Sequence, residues 1–531
     1  MFSERINKLQ KTVAGGAMII AFFSILSRLL GLLRDRFLSS TFGAGQVLDS
    51  YYAAFRLPDL IFNTIVLGAL SSAFIPVFLE YWNKDKEEAW RITNGLLNFL
   101  FLAVLIFSIF IFIFAPSVID LMVPGFNQEA RDLTTSLTRV MLFGTIFFTL
   151  SNVASGVLNS LQKFFIYSLA PVMYNVGIIF GILVLAKEDS FGLVGLGWGV
   201  ALGALLHFLI QVPTLLKIGY RWKPILNFKH PAVEKIGFLM LPRCFGLAIS
   251  QFNFIVTTFI ASGLAIGAVA IYNLAFNLVN FPVSIFGISL AISVFPILSR
   301  ANVNGDKECF VLHFSSAIRQ ILYLIVPTTI LFLSLRAQIV RLVLGAGVFS
   351  WRDTVLTSQT LGWFSLSLFA QSLIPVFARA FYAKQDTKTP VKIAVVSFLI
   401  NIIGCFVFGK FMGVGGLALA FTISSVVNFV LLYFFITKKV VFLPSKKILK
   451  SFLKIFGLSI LMLGVVQIIK YSVAPIVDMQ TFIGVLTQSI AAIIGGSLFY
   501  LLMSLWLKFD EVTIVVRFFD NKFKFFNKII K

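Results

Sequence analysis

The stretch FLFLAVLIFSIFIFIFAPSVI, residues 99–119, decides the fold class. It contains no charged side chain, and a helix of roughly 20 apolar residues is long enough to cross a bilayer. The whole chain shares this character, since 59% of its 531 residues are hydrophobic and 12% are charged. Soluble domains are about half apolar and a quarter charged. The sequence therefore predicts an all-α polytopic membrane protein and excludes a disordered chain, a secreted disulfide scaffold and a weakly alternating β-barrel.

Fourteen membrane spans are predicted from the apolar runs. The second and eighth runs are long enough to accommodate a bend. The predicted spans are 12–33, 48–80, 94–123, 132–160, 165–186, 192–216, 234–262, 265–298, 310–344, 354–383, 390–411, 413–436, 450–471 and 481–507.

The net charge of +22 is interpreted as topological rather than as a nucleic-acid footprint. Lysine and arginine concentrate in the even-numbered connections between spans, as at Lys84, Lys86 and Arg91 in the second. Because such residues favour the cytoplasmic side, both chain termini are predicted to be cytoplasmic. Residues 508–531 alternate aromatic or aliphatic with charged side chains, which predicts an amphipathic cytoplasmic tail on the anionic inner leaflet.

An internal repeat predicts a doubled architecture. AFIPVFLEYWNKDKEE at 73–88 resembles SVFPILSRANVNGDKE at 293–308, and GLGWGVALGALL at 195–206 resembles GLALAFTISSVV at 416–427. Both members of each pair fall at the same stage of the topology, six spans apart, which predicts two parallel six-helix lobes. The predicted divisions are an N-lobe at 1–225, a C-lobe at 226–440, a helix pair at 441–507 and the tail at 508–531.

Charged residues inside spans mark the candidate site, because charge in a membrane is expensive and usually faces a cavity or a partner. Arginine suits phosphate, since its planar fork donates two parallel hydrogen bonds. The alternative is a set of ion pairs that lock helices together. The candidates are Arg28, Arg34 and Asp35 on span 1, Asp49 and Arg56 on span 2, and Arg243 on span 7.

Polar uncharged residues on spans 7 and 8 extend this candidate cavity. Gln251 and Asn253 lie on span 7, and Asn277 lies on span 8 in a stripe with Asn273 and Asn280. Such stripes also join helices by hydrogen bonds, so both interpretations stay open. The three cysteines and three histidines form no metal-ligand spacing, and no P-loop or G-x-S-x-G pattern occurs. Neither a catalytic centre nor a metal or other cofactor is expected.

Two longer stretches resemble a known family. SRLLGLLRD at 27–35, followed by FGAGQVLDSYYAAFRLPDLIFNTIVLGALSSAFIPVF at 42–78, resembles the MurJ (MviN) family, as does FYAKQDTKTPVKIA at 381–394. These are lipid II flippases of bacterial peptidoglycan synthesis in the multidrug/oligosaccharidyl-lipid/polysaccharide exporter superfamily. The resemblance covers roughly residues 10–440.

The resemblance implies two six-helix lobes around a cationic cavity, with functional charges at Arg28, Arg34, Asp35 and Asp49, a basic position at Arg56 and a cavity-lining seventh helix carrying Arg243. It also implies that spans 13 and 14 form a groove for the undecaprenyl tail.

This chain departs from the family pattern at several positions. Phe62 and Asn63 stand where some members carry an arginine, and Phe276-Asn277 stands where some carry Asp-Arg. A sodium site in some members uses carboxylates on spans 7 and 11, whereas span 11 here has none.

The function expected is flipping of lipid II from the cytoplasmic to the outer leaflet of the bacterial cytoplasmic membrane. The lipid diphosphate would bind Arg28, Arg34, Arg56 and Arg243. In the empty carrier, Asp35 and Asp49 would each pair with an arginine. The surrounding membrane lipids are expected partners as well. Coupling to a cation or to the membrane potential, and contact with other cell-wall synthesis proteins, stay open. The alternatives are a flippase for another undecaprenyl-pyrophosphate glycan, a cation-coupled drug exporter and a non-transporting scaffold.

Overall fold

The computed structural model describes residues 13–68, 74–225, 231–439 and 443–512. Within these ranges the regular structure is helical, and contact density divides the chain into two compact units. Unit 1 runs to Asn273 and includes Val343–Asp353, and unit 2 comprises Leu274–Leu342 and the chain from Thr354 onward. These contact-based units differ from the lobes predicted from the sequence repeat, whose boundaries stay a prediction.

The helices up to residue 262 are α1 (Val13–Phe42), α2 (Gln46–Ala54), α3 (Arg56–Ile61), α4 (Ile75–Trp82), α5 (Lys86–Met122), α6 (Gln128–Ser160), α7 (Phe164–Phe180), α8 (Gly195–Leu209), α9 (Val212–Lys217) and α10 (Pro231–Ser262). Those that follow are α11 (Ala268–Pro282), α12 (Ser289–Val303), α13 (Lys307–Ser334), α14 (Arg336–Val343), α15 (Trp351–Ser365), α16 (Leu368–Ala383), α17 (Lys388–Met412), α18 (Val414–Lys439), α19 (Ser445–Val473) and α20 (Phe482–Trp506). Short π-helical turns occupy Phe62–Leu67, Gly181–Leu185 and Val283–Ile288, and a 3₁₀ turn occupies Gly192–Val194.

The all-helical, multi-pass class is confirmed. Eleven helical segments of the described ranges are long and apolar enough to cross a membrane, and twelve if α15 and α16, bent by 45°, form one span. These twelve correspond to the third to fourteenth predicted spans. The first prediction falls on α1, and the second falls on the segmented stretch from α2 to α4, of which residues 69–73 lie outside the described ranges. The total of fourteen stays a prediction.

The second span is interrupted rather than smoothly curved. Helix α2 ends at Ala54, α3 begins at Arg56, and a π turn follows at Phe62–Leu67. The eighth span contains a π turn at Val283–Ile288, 221 residues later in the chain. Single π turns within α-helices are frequently found at functional sites. Their equivalent positions support the internal repeat that the sequence predicted.

The connection after each interrupted span also repeats its local structure. The Asp85 carboxylate accepts hydrogen bonds from the Glu87 and Glu88 backbone amides and caps α5. The Asp306 carboxylate accepts one from the Cys309 amide and caps α13. An N-cap aspartate satisfies amides that the helix leaves unpaired. The two connections therefore resemble each other in hydrogen bonding as well as in sequence.

Connections of equal parity meet within each unit. In unit 1 the Asn94 side-chain oxygen Oδ1, at the end of span 3 that follows the second connection, accepts a hydrogen bond from the Tyr220 hydroxyl in the sixth connection at 2.8 Å. At the other ends of these helices, Asn127 donates to Gln46 at 3.2 Å, which joins the third and first connections. In unit 2 Arg341, on α14 just after the apolar helix that ends at Ser334, donates to the Gln480 backbone carbonyl in the thirteenth connection at 2.9 Å. This grouping is the alternation that a chain crossing a membrane repeatedly must have.

Close glycine contact joins α7, its π turn and α8 in unit 1. A Cβ atom placed on Gly199 would lie 2.6 Å from the Cα atom of Gly181, closer than real Cβ atoms approach other atoms. Small residues let helix backbones approach closely, which strengthens packing where no water drives association. This contact fixes α7, and α7 carries one member of the polar cluster described below.

Substituting Gly199→Val should destabilise the protein, because the two helix backbones would have to separate. We expect the free energy of unfolding to fall by about 1–3 kcal/mol, the usual cost of overpacking. Thermal unfolding of purified protein in detergent measures this change. Gly457→Val on α19 is the matched control, since no heavy atom lies within 4 Å of its added Cβ. Equal melting temperatures for the two variants would contradict the packing argument.

Candidate functional site

The first polar cluster joins α1 to α7 within unit 1. The Arg34 guanidinium donates from Nε and Nη2 to Asp35 Oδ1, at 3.1 and 2.8 Å. Its Nη1 lies 3.5 Å from Asn175 Oδ1, a long hydrogen bond across to α7. The Asn175 amide nitrogen in turn donates to the Ser27 hydroxyl at 3.3 Å. Arginine and aspartate are thus held against a second helix by one asparagine.

Arg28 lies two turns earlier on α1 and is half-buried. The spacing of seven residues places Arg28 and Asp35 on one face, yet Asp35 bonds its neighbour Arg34. No described residue forms a hydrogen bond or ion pair with Arg28. Its guanidinium is therefore available to another group.

The second cluster surrounds Arg56, the first residue of α3, whose side chain is buried with 8% of the residue exposed. Its Nε donates to Thr258 Oγ1 at 2.8 Å and its Nη2 donates to Asn273 Oδ1 at 2.6 Å. The guanidinium carbon also lies 5.3 Å from the centre of the Phe254 ring, at cation–π distance. Arg56 therefore connects span 2 to spans 7 and 8 through two neutral oxygen atoms.

Asp49 joins the same spans at the start of α11. Its Oδ2 accepts a hydrogen bond from the Gly267 amide at 2.6 Å and its Oδ1 accepts one from the Ala270 amide at 2.7 Å. The first amides of a helix have no partner within the helix, and the helix dipole favours a negative charge there. Asp49 therefore caps α11 from another span, where the sequence had predicted a pairing with arginine.

Gly267 is required at this contact for two reasons. Its φ angle of +89° is one that other residues rarely adopt, and an added Cβ would collide with the carbonyl oxygen of Ala44. The connection between α10 and α11 thereby packs directly on the connection between α1 and α2.

The ninth connection, residues 343–353, packs on the same end of unit 1. The Ser39 hydroxyl donates to the Leu344 carbonyl at 2.9 Å, and the Val348 amide donates to the Ser40 carbonyl at 3.0 Å. Together with the Asp49 cap, these bonds hold the first, seventh and ninth connections together at one end of the unit.

The remaining predicted site residues lie on α10 and α11, outside the two clusters described above. Arg243 belongs to α10, but its side chain lies outside the described residues. Gln251 and Asn253 are half-buried on α10, and Asn277 is half-buried on α11. The structure thus brings Arg34 together with Asp35, joins Arg56 to the helices of spans 7 and 8, and joins Asp49 to the start of the helix of span 8.

Three partners were missed when the candidate residues were chosen from the sequence. Asn175 and Thr258 were not singled out, and Asn273 was noted in a stripe without being matched to Arg56. Asn175 carried a usable signal, since it is the amide side chain of an otherwise largely apolar run, SLAPVMYNVGIIF at 168–180. Thr258 carried none, because threonine is common in apolar helices and satisfies itself by bonding back to the preceding turn, as it does here to Phe254.

The chemistry offered by these clusters is hydrogen-bond donation to an oxyanion. Guanidinium groups supply fixed, charged donors in a fork that matches phosphate oxygens. Among the described residues, no group of three or more histidine, cysteine or acidic side chains could hold a metal ion.

Comparison with known proteins identifies relatives over most of the chain. The family model described as lipid II flippase MurJ matches residues 38–488. The lipid II flippase MurJ of Burkholderia cenocepacia is 29% identical over 85% of this chain and 89% of that protein. The probable lipid II flippase MurJ of Haemophilus influenzae is 32% identical over 83% of this chain and 89% of that protein.

Solved structures agree with these relatives. A structure described as lipid II flippase MurJ, inward closed conformation, matches with a TM-score of 0.77 and 26% identity, covering 92% of this chain and 99% of that one. An inward-facing multidrug resistance MATE family transporter of the MOP superfamily matches with a TM-score of 0.65 over 80% of this chain and 98% of that one. Its 16% identity shows a shared fold alone.

Removing the Asp49 carboxylate should weaken the start of α11, because the Gly267 and Ala270 amides would lose their acceptor. We expect Asp49→Ala to lower the free energy of unfolding by about 0.5–2 kcal/mol, the usual cost of losing an N-cap. Thermal unfolding in detergent measures it. Asp189→Ala, at an exposed acid in the fifth connection, is the control. An unchanged melting temperature for Asp49→Ala would show that the cap contributes nothing.

Proposed function

The chain belongs to the lipid II flippase MurJ family, and we propose that it carries lipid II from the cytoplasmic to the outer leaflet of a bacterial cytoplasmic membrane. In this role it is a transporter of peptidoglycan synthesis rather than an enzyme, since moving a lipid requires no covalent step. The substrates of its relatives support this proposal, and so does the polar chemistry of unit 1.

The proposal rests mainly on Arg56, a buried cation whose hydrogen-bond partners are neutral. Its buried guanidinium is hydrogen-bonded by two neutral side chains, with Asp59 three residues further along the chain. Burying a cation costs several kcal/mol unless opposite charge or strong hydrogen bonds compensate. A diphosphate group would supply both. Arg28, for which no described residue provides a partner, offers a second cation on span 1.

We assign the diphosphate to Arg28, Arg34, Arg56 and Arg243, with the neutral headgroup meeting Gln251 and Asn253. The arginines would replace water around the phosphate oxygens, which removes much of the cost of bringing that charge into a membrane. Asp35 holds Arg34 when substrate is absent and would yield to the phosphate when it binds. Exchange of one anionic partner for another keeps the guanidinium satisfied throughout.

Alternating access requires that the bonds at one end of the carrier form and break. The Asp49 cap and the bonds of residues 343–353 join three odd-numbered connections, which the charge pattern assigns to the outside. We infer that these contacts close the outer end and must open to release the lipid. Each is a small set of hydrogen bonds, so the two states can differ by the few kcal/mol that a carrier needs.

The driving force is proposed to be the membrane potential, with a coupling cation as the other source. A net positive carrier responds to the potential by about 2.3 kcal/mol per charge per 100 mV. Surrounding lipids and other cell-wall synthesis proteins are its expected partners in the membrane.

Arg34→Ala should slow flipping strongly while leaving the protein in the membrane. Hydrogen bonds to charged groups contribute about 1.5–3 kcal/mol, which corresponds to about 10- to 100-fold slower flipping. The measurement is rescue of a strain depleted of its own lipid II flippase, scored with lipid II accumulation and protein level. Arg139→Ala is the matched control, because Arg139 is a span arginine that lies over Phe112 outside the clusters. Failure of well-expressed wild-type protein to rescue would refute the proposed substrate, whereas full rescue by Arg34→Ala would refute the role of Arg34.

The assignment of even-numbered connections to the cytoplasm makes a separate prediction. In a background in which all three cysteines are replaced, a membrane-impermeant maleimide applied to intact spheroplasts should label Glu129→Cys in the third connection. It should label Lys84→Cys in the second only after permeabilisation. Both positions are exposed. The reverse pattern would place the termini outside.

A further inference from the structure

A large cavity lies at the end of unit 2 where the eighth, tenth and twelfth connections meet. Its volume is about 920 Å³, within the range of about 300–1,000 Å³ typical of small-molecule sites. Basic side chains come from each of these connections and from the adjoining helices. They are Lys307, Arg319, Lys384, Lys438 and Lys447.

The charge of this cavity wall is positive. Among its described lining residues the acids are Asp306 and Glu308, and one oxygen of Asp306 is already used to cap α13. Two of the five cations are also paired with acids beside the wall, Arg319 with Glu511 at 2.8 Å and Lys447 with Asp510 at 3.9 Å. The lining lysines nevertheless outnumber the lining acids.

Two of the lysines are positioned by aromatic rings. The Lys384 Nζ atom lies 5.2 Å from the centre of the Phe310 ring, and the Lys438 Nζ atom lies 4.3 Å from that of Phe434. Cation–π contacts of this kind attract an ammonium group without cancelling its charge. Both lysines therefore keep their capacity to meet an anion.

Arg319 adds a partly satisfied cation beside these lysines. Its side chain is 11% exposed, and its Nη1 donates to Glu511 at 2.8 Å and to Asp510 at 3.3 Å. Glu511 is held in turn by the Ser451 hydroxyl at 2.8 Å. Among the described residues, the Nε atom of Arg319 has no hydrogen-bond partner. The guanidinium therefore has hydrogen-bonding capacity that its two carboxylates leave unused.

We propose that this cavity binds a phosphate-bearing anion, held by Lys384, Lys438 and Lys447 beside the partly buried Arg319. The ligand is either the headgroup of an anionic membrane lipid or a free phosphate compound, since both present the same oxygens. The exposed Leu312 on the wall gives a lipid chain an apolar contact. This site is separate from the arginines of unit 1 and does not depend on which lipid the carrier flips.

Cys309, which lines the cavity, provides a local readout that does not involve transport. In full-length protein carrying Cys244→Ser and Cys405→Ser, the rate of maleimide labelling of Cys309 would be measured under two sets of conditions. One compares detergent solution with and without inorganic pyrophosphate. The other compares nanodiscs of phosphatidylcholine alone with nanodiscs containing phosphatidylglycerol. Occupancy at several times the dissociation constant should slow labelling about fivefold.

The pattern of protection identifies the source of the phosphate. Protection by pyrophosphate indicates a free phosphate compound, and protection by phosphatidylglycerol alone indicates a lipid headgroup. Equal labelling rates in all four conditions would overturn the proposal. So would an equal slowing at Cys244 in protein carrying Cys309→Ser and Cys405→Ser, because that effect would be general.

Charge variants test whether the named lysines hold the ligand. The triple change Lys384→Gln, Lys438→Gln and Lys447→Gln should abolish protection, and the single change Lys384→Gln should weaken it if the triple variant fails to fold. A control with the same loss of charge replaces three exposed lysines elsewhere, Lys84, Lys187 and Lys410, and should keep full protection. Loss of protection in this control, or its retention in the folded cavity variants, would refute the assignment.

Discussion

A polar group buried in this chain must find its partner within the protein, because the core of a bilayer offers no hydrogen bonds. The charged residues of spans 1 and 2 satisfy this constraint in different ways. Arg34 is paired with a carboxylate, Arg56 with two neutral oxygen atoms, and Asp49 with backbone amides. Each choice of partner determines which helices are joined and what could take the partner's place.

The partner also determines how readily a contact can be exchanged. A backbone amide at a helix start is fixed to that helix, so the Asp49 cap is broken only when the end of α11 moves. The partners of Arg56 are single side-chain oxygens, and an anion can compete with them without moving a helix. A carrier needs both kinds of contact. A contact such as the Asp49 cap breaks or forms when a helix moves, and a contact such as those of Arg56 is replaced when a ligand binds. Unit 1 places the two kinds seven residues apart on the second span.

The sequence predicted the helical class, most spans and the charged residues, because these follow from hydropathy and from the rarity of charge in membranes. The partners could not be predicted from spacing. Arg28 and Asp35 share a helical face, but the guanidinium that bonds Asp35 is that of the adjacent Arg34. Asp49 and Arg56 are also seven apart, but the helix breaks between Ala54 and Arg56 and their partners come from spans 7 and 8. Such partners depend on packing between distant segments, which a periodicity within one segment does not contain.

The distribution of basic residues along the sequence likewise predicts topology but not the contacts of each side chain. A lysine that serves only topology needs to lie near the cytoplasmic end of a span, and its exact surroundings do not matter. Lys84 meets that description, since it is exposed in the turn after α4 and bonded to Glu80 on that helix. Lys384 and Lys438 lie over aromatic rings, and the side chain of Arg319 is 11% exposed and paired with two acids, Asp510 and Glu511. Topology requires none of these features. The positive charge of the even-numbered connections therefore has a second use in unit 2, where packing converts part of a topological signal into a defined anion-binding wall.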